Sequence, residues 1–146
     1  MGFEAAVRER LERSFGMYRD LLAEMGEGSL TSRLGDLRSN TIGAQLWCVV
    51  GARESYSRAI EARQWSGFSC SLDDTTDATK VGEALTASED KVRTALDGMH
   101  AADDAPWGLV LDLLEHEAAH HGQLIRYIYG LGLPVPETWK RKYALD

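Results

Sequence analysis

Two histidines four residues apart, His116 and His120, stand in the stretch Glu115-His116-Glu117-Ala118-Ala119-His120-His121-Gly122-Gln123. On a helix, side chains at that spacing lie one above the other, so both imidazoles can aim at a single point. Each neutral ring offers one lone pair, which makes the pair a two-donor clamp for a divalent metal. The competing reading is a pair of core histidines hydrogen-bonded to each other or to backbone. Two imidazoles alone hold most metals weakly, so a ligating site needs a donor from a facing helix. Cys48, inside Leu46-Trp47-Cys48-Val49-Val50, is the candidate; its alternative is a small buried hydrophobe.

The run His116-Glu117-Ala118-Ala119-His120 also matches the zincin pattern, in which the glutamate between the ligands is a general base. The extended signature is missing: no histidine follows His121, Gly122 falls in the wrong place, and no strand-like segment precedes the helix. Asp112, one turn before His116, is placed to accept the far ring N–H of a ligand histidine, with a solvated acid as the alternative. His121 lies about 100° round the helix from His120 and belongs to a flank. Gly122 costs a helix about 1 kcal/mol against alanine, so close packing against a neighbouring helix is expected there. Gln123 would hydrogen-bond near that contact or lie on the surface.

These residues need elements to position them. The motif sits in an apolar run over residues 109–131, with Leu109, Leu113, Leu124 and Ile128 on or beside its stripe, so the histidines are expected to face other helices. A first helix is predicted over residues 3–25, where Phe3, Val7, Leu11, Phe15, Tyr18, Leu22 and Met25 recur at helical steps; Gly26 and Gly28 should stop it. After a polar link through Arg33-Leu34-Gly35, Asn40 is the predicted N-cap of a second helix over residues 41–64, with Ile42, Leu46, Val49, Val50, Tyr56 and Ile60 facing inward. Residues 69–79 read as a loop. Asp77 caps a third helix that carries Val81, Leu85, Val92, Leu96 and Met99 up to His100. Pro106 falls in the first turn of the fourth helix, and Gly130, Gly132, Pro134 and Pro136 end it and leave a short tail. The expectation is an all-α, single-domain four-helix bundle over residues 1–146, with one longer crossover between the second and third helices.

The totals narrow the function. With 23 acidic against 16 basic residues, the net charge of -7 argues against a nucleic-acid partner, because phosphate backbones need clustered Lys and Arg. No apolar stretch approaches the roughly 20 residues of a membrane span, and the N-terminus lacks a signal core. A cytoplasmic protein without a membrane partner is expected, with Cys48 and Cys70 reduced.

His116-x-x-x-His120-His121-Gly122-Gln123 near the end of such a chain, with Asn40-Thr41-Ile42-Gly43-Ala44-Gln45-Leu46-Trp47 opening the second helix, resembles the DinB-like superfamily, also called DinB/YfiT-like metalloenzymes. The resemblance spans nearly the whole chain in helix number, order and length, and only the two motifs are specific. It implies that His116 and His120 are metal ligands and that a third, usually a histidine, follows the second-helix lead-in, where this chain has Cys48. A Cys-His-His set is still a zinc site with one open position, and a thiolate favours zinc over harder metals. Nickel or another transition metal stays open as the cofactor. Gln45 is a weaker substitute for Cys48; without a third donor the protein would be a metal-free descendant. The implied activity is that of a metal-dependent transferase or hydrolase acting on a small-molecule substrate, with a small thiol as co-substrate, in a homodimer. The alternatives are a non-catalytic bundle that binds a small molecule or partner in the same cavity and, more remotely, the zinc peptidase.

Overall fold

Apolar side chains at three- and four-residue steps build four long helices, and one short helix follows them. The computed structural model describes residues 2–99 and 106–146. Its helices are α1 (Phe3–Glu24), α2 (Ile42–Ala62), α3 (Ala78–Asp97), α4 (Trp107–Leu131) and α5 (Glu137–Tyr143), with a 3-10 turn at Glu27–Thr31. Among the described residues there is no strand, and none of their helices is long and apolar enough to cross a membrane. His100 and the link 101–105 lie outside the described residues, as does what the sequence predicts for them.

α2 packs against α3 and α4, α1 packs against the same two, and α5 docks on α1. One apolar cluster gathers Tyr18, Leu46, Val50, Leu124 and Ile128 with Trp139. A second joins Leu11, Phe15, Val92, Val110 and Leu113 toward the other end. Burial of these side chains, each contributing roughly 1.5–3 kcal/mol, fixes α4 against its neighbours and so sets where its histidines point.

The ends of the helices differ from expectation in instructive ways. Thr41, not Asn40, caps α2 by accepting from the Ala44 N–H at 3.0 Å; Asn40 has other partners, described below. α1 does not stop on a left-handed glycine: Met25 is extended and buried, and Gly26, at φ -68°, opens the 3-10 turn that delivers Leu30 to the core. Asp77 does cap α3, accepting from the Thr79 and Lys80 N–H groups. Pro106 is the residue before α4 rather than inside its first turn. Gly132 ends α4 in the left-handed region (φ +62°), and the Leu133 N–H reaches the Ile128 carbonyl at 2.9 Å, a Schellman closure.

Two stretches expected to lack structure have definite roles. Segment 68–76 is a strap laid along α2: Ser55 Oγ accepts from the Ser69 N–H and donates to its carbonyl, and Glu54 accepts from the Ser71 N–H at 2.8 Å. A Cβ at Gly43 would overlap the Thr75 carbonyl oxygen, and one at Gly51 would overlap the Phe68 ring, so both glycines are there to let the strap approach. The tail after α4 is α5, held by Trp139, which is fully buried and donates through Nε1 to the Met17 carbonyl at 2.7 Å. Thr138 adds a bond to Asp20.

Candidate functional site

His116 and His120 do stack on one side of α4, with ring centroids 4.6 Å apart. Facing them from α2 is Gln45, whose Oε1 lies 2.5 Å from His120 Nδ1. The Gln45 amide is oriented by its other end, where Nε2 donates to Asn40 Oδ1 at 2.8 Å. Asn40 in turn accepts from the Tyr127 hydroxyl through both its carbonyl and its side chain. Because an amide oxygen only accepts, His120 carries its proton on Nδ1, and Nε2 keeps its lone pair. His116 Nδ1 is buried and meets no hydrogen-bond partner among the described residues.

Both rings are held neutral. Burial lowers the His116 pKa, partly opposed by Glu117. Burial, then the neighbouring His116, pushes His120 down to about 4. A neutral imidazole with Nδ1–H bound to a carbonyl-type oxygen and a free Nε2 is the form in which histidine ligates metals. His120 Nε2 therefore fits a metal, and the His116 ring stands beside it.

Among the described residues no group of three His, Cys, Asp or Glu side chains is placed to hold an ion, and the α2 side chain bonded to His120 is Gln45. Cys48 is half-buried on α2, one turn past Gln45. Burial raises its thiol pKa, and it lies near enough to Cys70 of the strap to help raise that thiol too. Asp112 is exposed and leaves His116 Nδ1 without the partner expected of it. Gly122 is exposed, and a Cβ there would meet nothing, so close packing is not its reason. Gln123 is exposed and lines a cleft of about 360 Å³ together with Asn40, Gln45, Arg126 and Tyr127.

Glu117 and His121 belong to the other side of α4. Glu117 is buried and receives Arg53 of α2 on both oxygens, Nε to Oε1 at 2.6 Å and Nη2 to Oε2 at 3.1 Å. Ser14 of α1 also bonds its Oε2, and Tyr18 donates to its carbonyl. Burial would raise the Glu117 pKa, but Arg53, Ser14 and His121 more than offset it and leave the carboxyl below its usual range. An ionised carboxylate only accepts, so Ser14 donates to it, and the Ser14 oxygen accepts from His121 Nε2 at 2.8 Å. His121 Nδ1, left without a proton, accepts from the Tyr143 hydroxyl of α5 at 2.7 Å. Tyr143, His121 and Ser14 thus form a relay of donors from the half-buried edge of α5 to the Glu117 carboxylate in the core, which Arg53 meets from the other side. Burial pushes His121 down to about 4, so it too is neutral.

Sequence reasoning missed Arg53, Ser14 and Tyr143. A signal for the first was available: Arg53 falls on the inward stripe of α2 between Val49 and Ile60, as Glu117 does on α4 between Leu113 and Leu124. Opposite charges on two inward stripes are a buried pair in waiting. Phe15 packs on the guanidinium, 4.5 Å from ring centroid to Cζ. Compared with protein-family models, curated proteins and solved structures, the chain matches none.

Proposed function

We propose that His116 and His120 hold a divalent metal, zinc before nickel or another transition metal, and that the chain is a DinB-like, metal-dependent transferase acting on a small molecule with a small thiol as co-substrate. The observation that carries this reading is the chain Tyr127–Asn40–Gln45–His120, which fixes the ring proton on Nδ1 and reserves Nε2 for a ligand. The unmatched Nδ1 of His116 beside it supports a missing partner of some kind. Cys48 is the third donor that the family resemblance assigns, and its thiol must lose a proton to serve. Bound zinc would lower the pKa of a water or thiol in its open position and so supply a nucleophile at neutral pH. Gln45, held by Asn40, keeps His120 in register, and the cleft bordered by Gln45, Gln123 and Arg126 offers room for a small substrate.

A non-catalytic bundle that binds a small molecule is the second reading, favoured by the lack of a third donor among the described residues. Glu117, the base a zinc peptidase would need, has both oxygens engaged by Arg53 and Ser14, which weighs against that activity.

Metal analysis of protein purified without a histidine tag separates these. Under the first reading the wild type carries close to one zinc per chain, His120→Ala removes it and Cys48→Ala lowers it. Gln45→Leu, which spares every ligand, should weaken zinc affinity by about 10–100-fold. Metal-free wild type, or zinc unaffected by His120→Ala, would overturn the metal site in favour of the binding bundle.

A further inference from the structure

On the side of α4 away from Gln45, a cleft of about 310 Å³ opens between α1, α4 and α5. Arg10 and Arg13 of α1 and Lys142 of α5 line it, and its floor is the relay of Ser14, His121 and Tyr143. In a chain of net charge -7, three cations gather here, and none has a carboxylate partner among the described residues. Arg10 reaches only the Ala6 carbonyl, and Lys142 lies over the Tyr143 ring. Their field already reaches inward, since Lys142 and Arg13 are among the charges that lower the pKa of His121. The one acid on the wall, Glu117, is matched by Arg53. A second cleft of about 370 Å³ shares Arg13 and Lys142 and adds Arg141, so the cationic region continues past the first opening.

We propose that this cleft binds the phosphate group of a small phosphomonoester, with Arg13 and Lys142 as the principal contacts and Arg10 at the rim. A dianion satisfies several unpaired cations at once, and Arg binds phosphate through a fork of N–H donors. The carboxylate–arginine pairs elsewhere, such as Glu12 with Arg93, show what these cations lack. Nucleic acid does not fit, because the patch is short and the rest of the surface carries the opposite sign. The site is separate from the histidine clamp and stands whether or not that clamp binds metal.

The test is a titration of the full chain with inorganic phosphate, followed by thermal unfolding and calorimetry, with potassium chloride at equal ionic strength and acetate as comparisons. Phosphate should raise Tm saturably and chloride should not. Arg13→Gln with Lys142→Gln should weaken phosphate binding by about tenfold or more. Arg8→Gln with Lys80→Gln removes the same charge elsewhere and should leave binding unchanged. Both altered pairs are at the surface, and an unshifted Tm without phosphate confirms that the variants fold. A response no greater than with chloride, an equal loss in both double variants, or acetate binding as tightly as phosphate would overturn the proposal.

Discussion

His120 and His121 are neighbours in the chain, both buried and both held neutral, yet one faces a chain of amides and the other hydroxyls that lead to an ion pair. His120 donates to Gln45 and keeps a free nitrogen, and its partner His116 has one buried nitrogen unmatched. His121 has both nitrogens engaged, by Ser14 and Tyr143, in a relay that ends on a buried ion pair. The 100° step of a helix separates them. What reads as one cluster of histidines and a glutamate is therefore two interleaved sets, positions 116 and 120 each with a ring nitrogen unmatched among the described residues and positions 117 and 121 matched by the protein itself.

Breaking the matched side should have the largest effect. Arg53→Ala leaves the Glu117 carboxylate buried without its cation and should destabilise the protein by about 3–5 kcal/mol in urea unfolding. Arg53→Met combined with Glu117→Leu should recover most of that loss, because both desolvated charges are then gone. His116→Ala, which removes an unmatched atom, should cost markedly less. Similar losses for Arg53→Ala and His116→Ala would erase the distinction between the two sides.

A pair of glycines sharpens it at smaller magnitude. Gly43→Ala drives a methyl into the Thr75 carbonyl and should cost about 1–3 kcal/mol, whereas Gly122→Ala on α4 meets open space and should gain up to about 1 kcal/mol. Thermal unfolding of the two variants reads the opposite signs directly.

The smallest effect concerns Glu54, next to Arg53 but turned outward to the strap. Burial pushes its carboxyl up, and the Ser71 N–H and Lys91 more than offset this, so its pKa lies below the ordinary 4.5. A lowered carboxyl contributes stability that is complete above that ordinary value and is lost as pH falls through the folded one. The protection of the Ser71 amide against hydrogen exchange, relative to the intrinsic rate at each pH, should therefore be high at neutral pH and fall below 4.5. Lys91 is half exposed, so the pair is worth about 1 kcal/mol or less. Protection that is already low at neutral pH would show that the strap does not depend on Glu54.

The four long helices were legible because their apolar periods are strong, and Asp77 and Gly132 were legible because a cap and a left-handed stop have local chemistry. α5 was not, since seven residues after Pro136 offer a single core side chain, Trp139, and its value lies in a distant partner on α1. Of the candidate site, His116 and His120 were placed by spacing alone. Their orientation by Gln45 depends on how α2 and α4 face each other, and no local pattern encodes that. Asn40 was expected to cap a helix but serves as the hinge of the amide chain, because Thr41 already supplies the cap. The sequence points to Gly122 of α4 as a packing glycine, whereas the glycines that packing requires are Gly43 and Gly51 of α2, where the strap crosses, since close approach is a property of two segments and not of one.

Tyr143, Ser14, Arg53 and Glu117 come from α5, α1, α2 and α4, so every part of the relay depends on helices far apart in the chain. No fragment that lacks any of those helices could give each polar group its match, and partly assembled forms would bury a lone charge. The network thus penalises partly assembled forms, which favours cooperative melting.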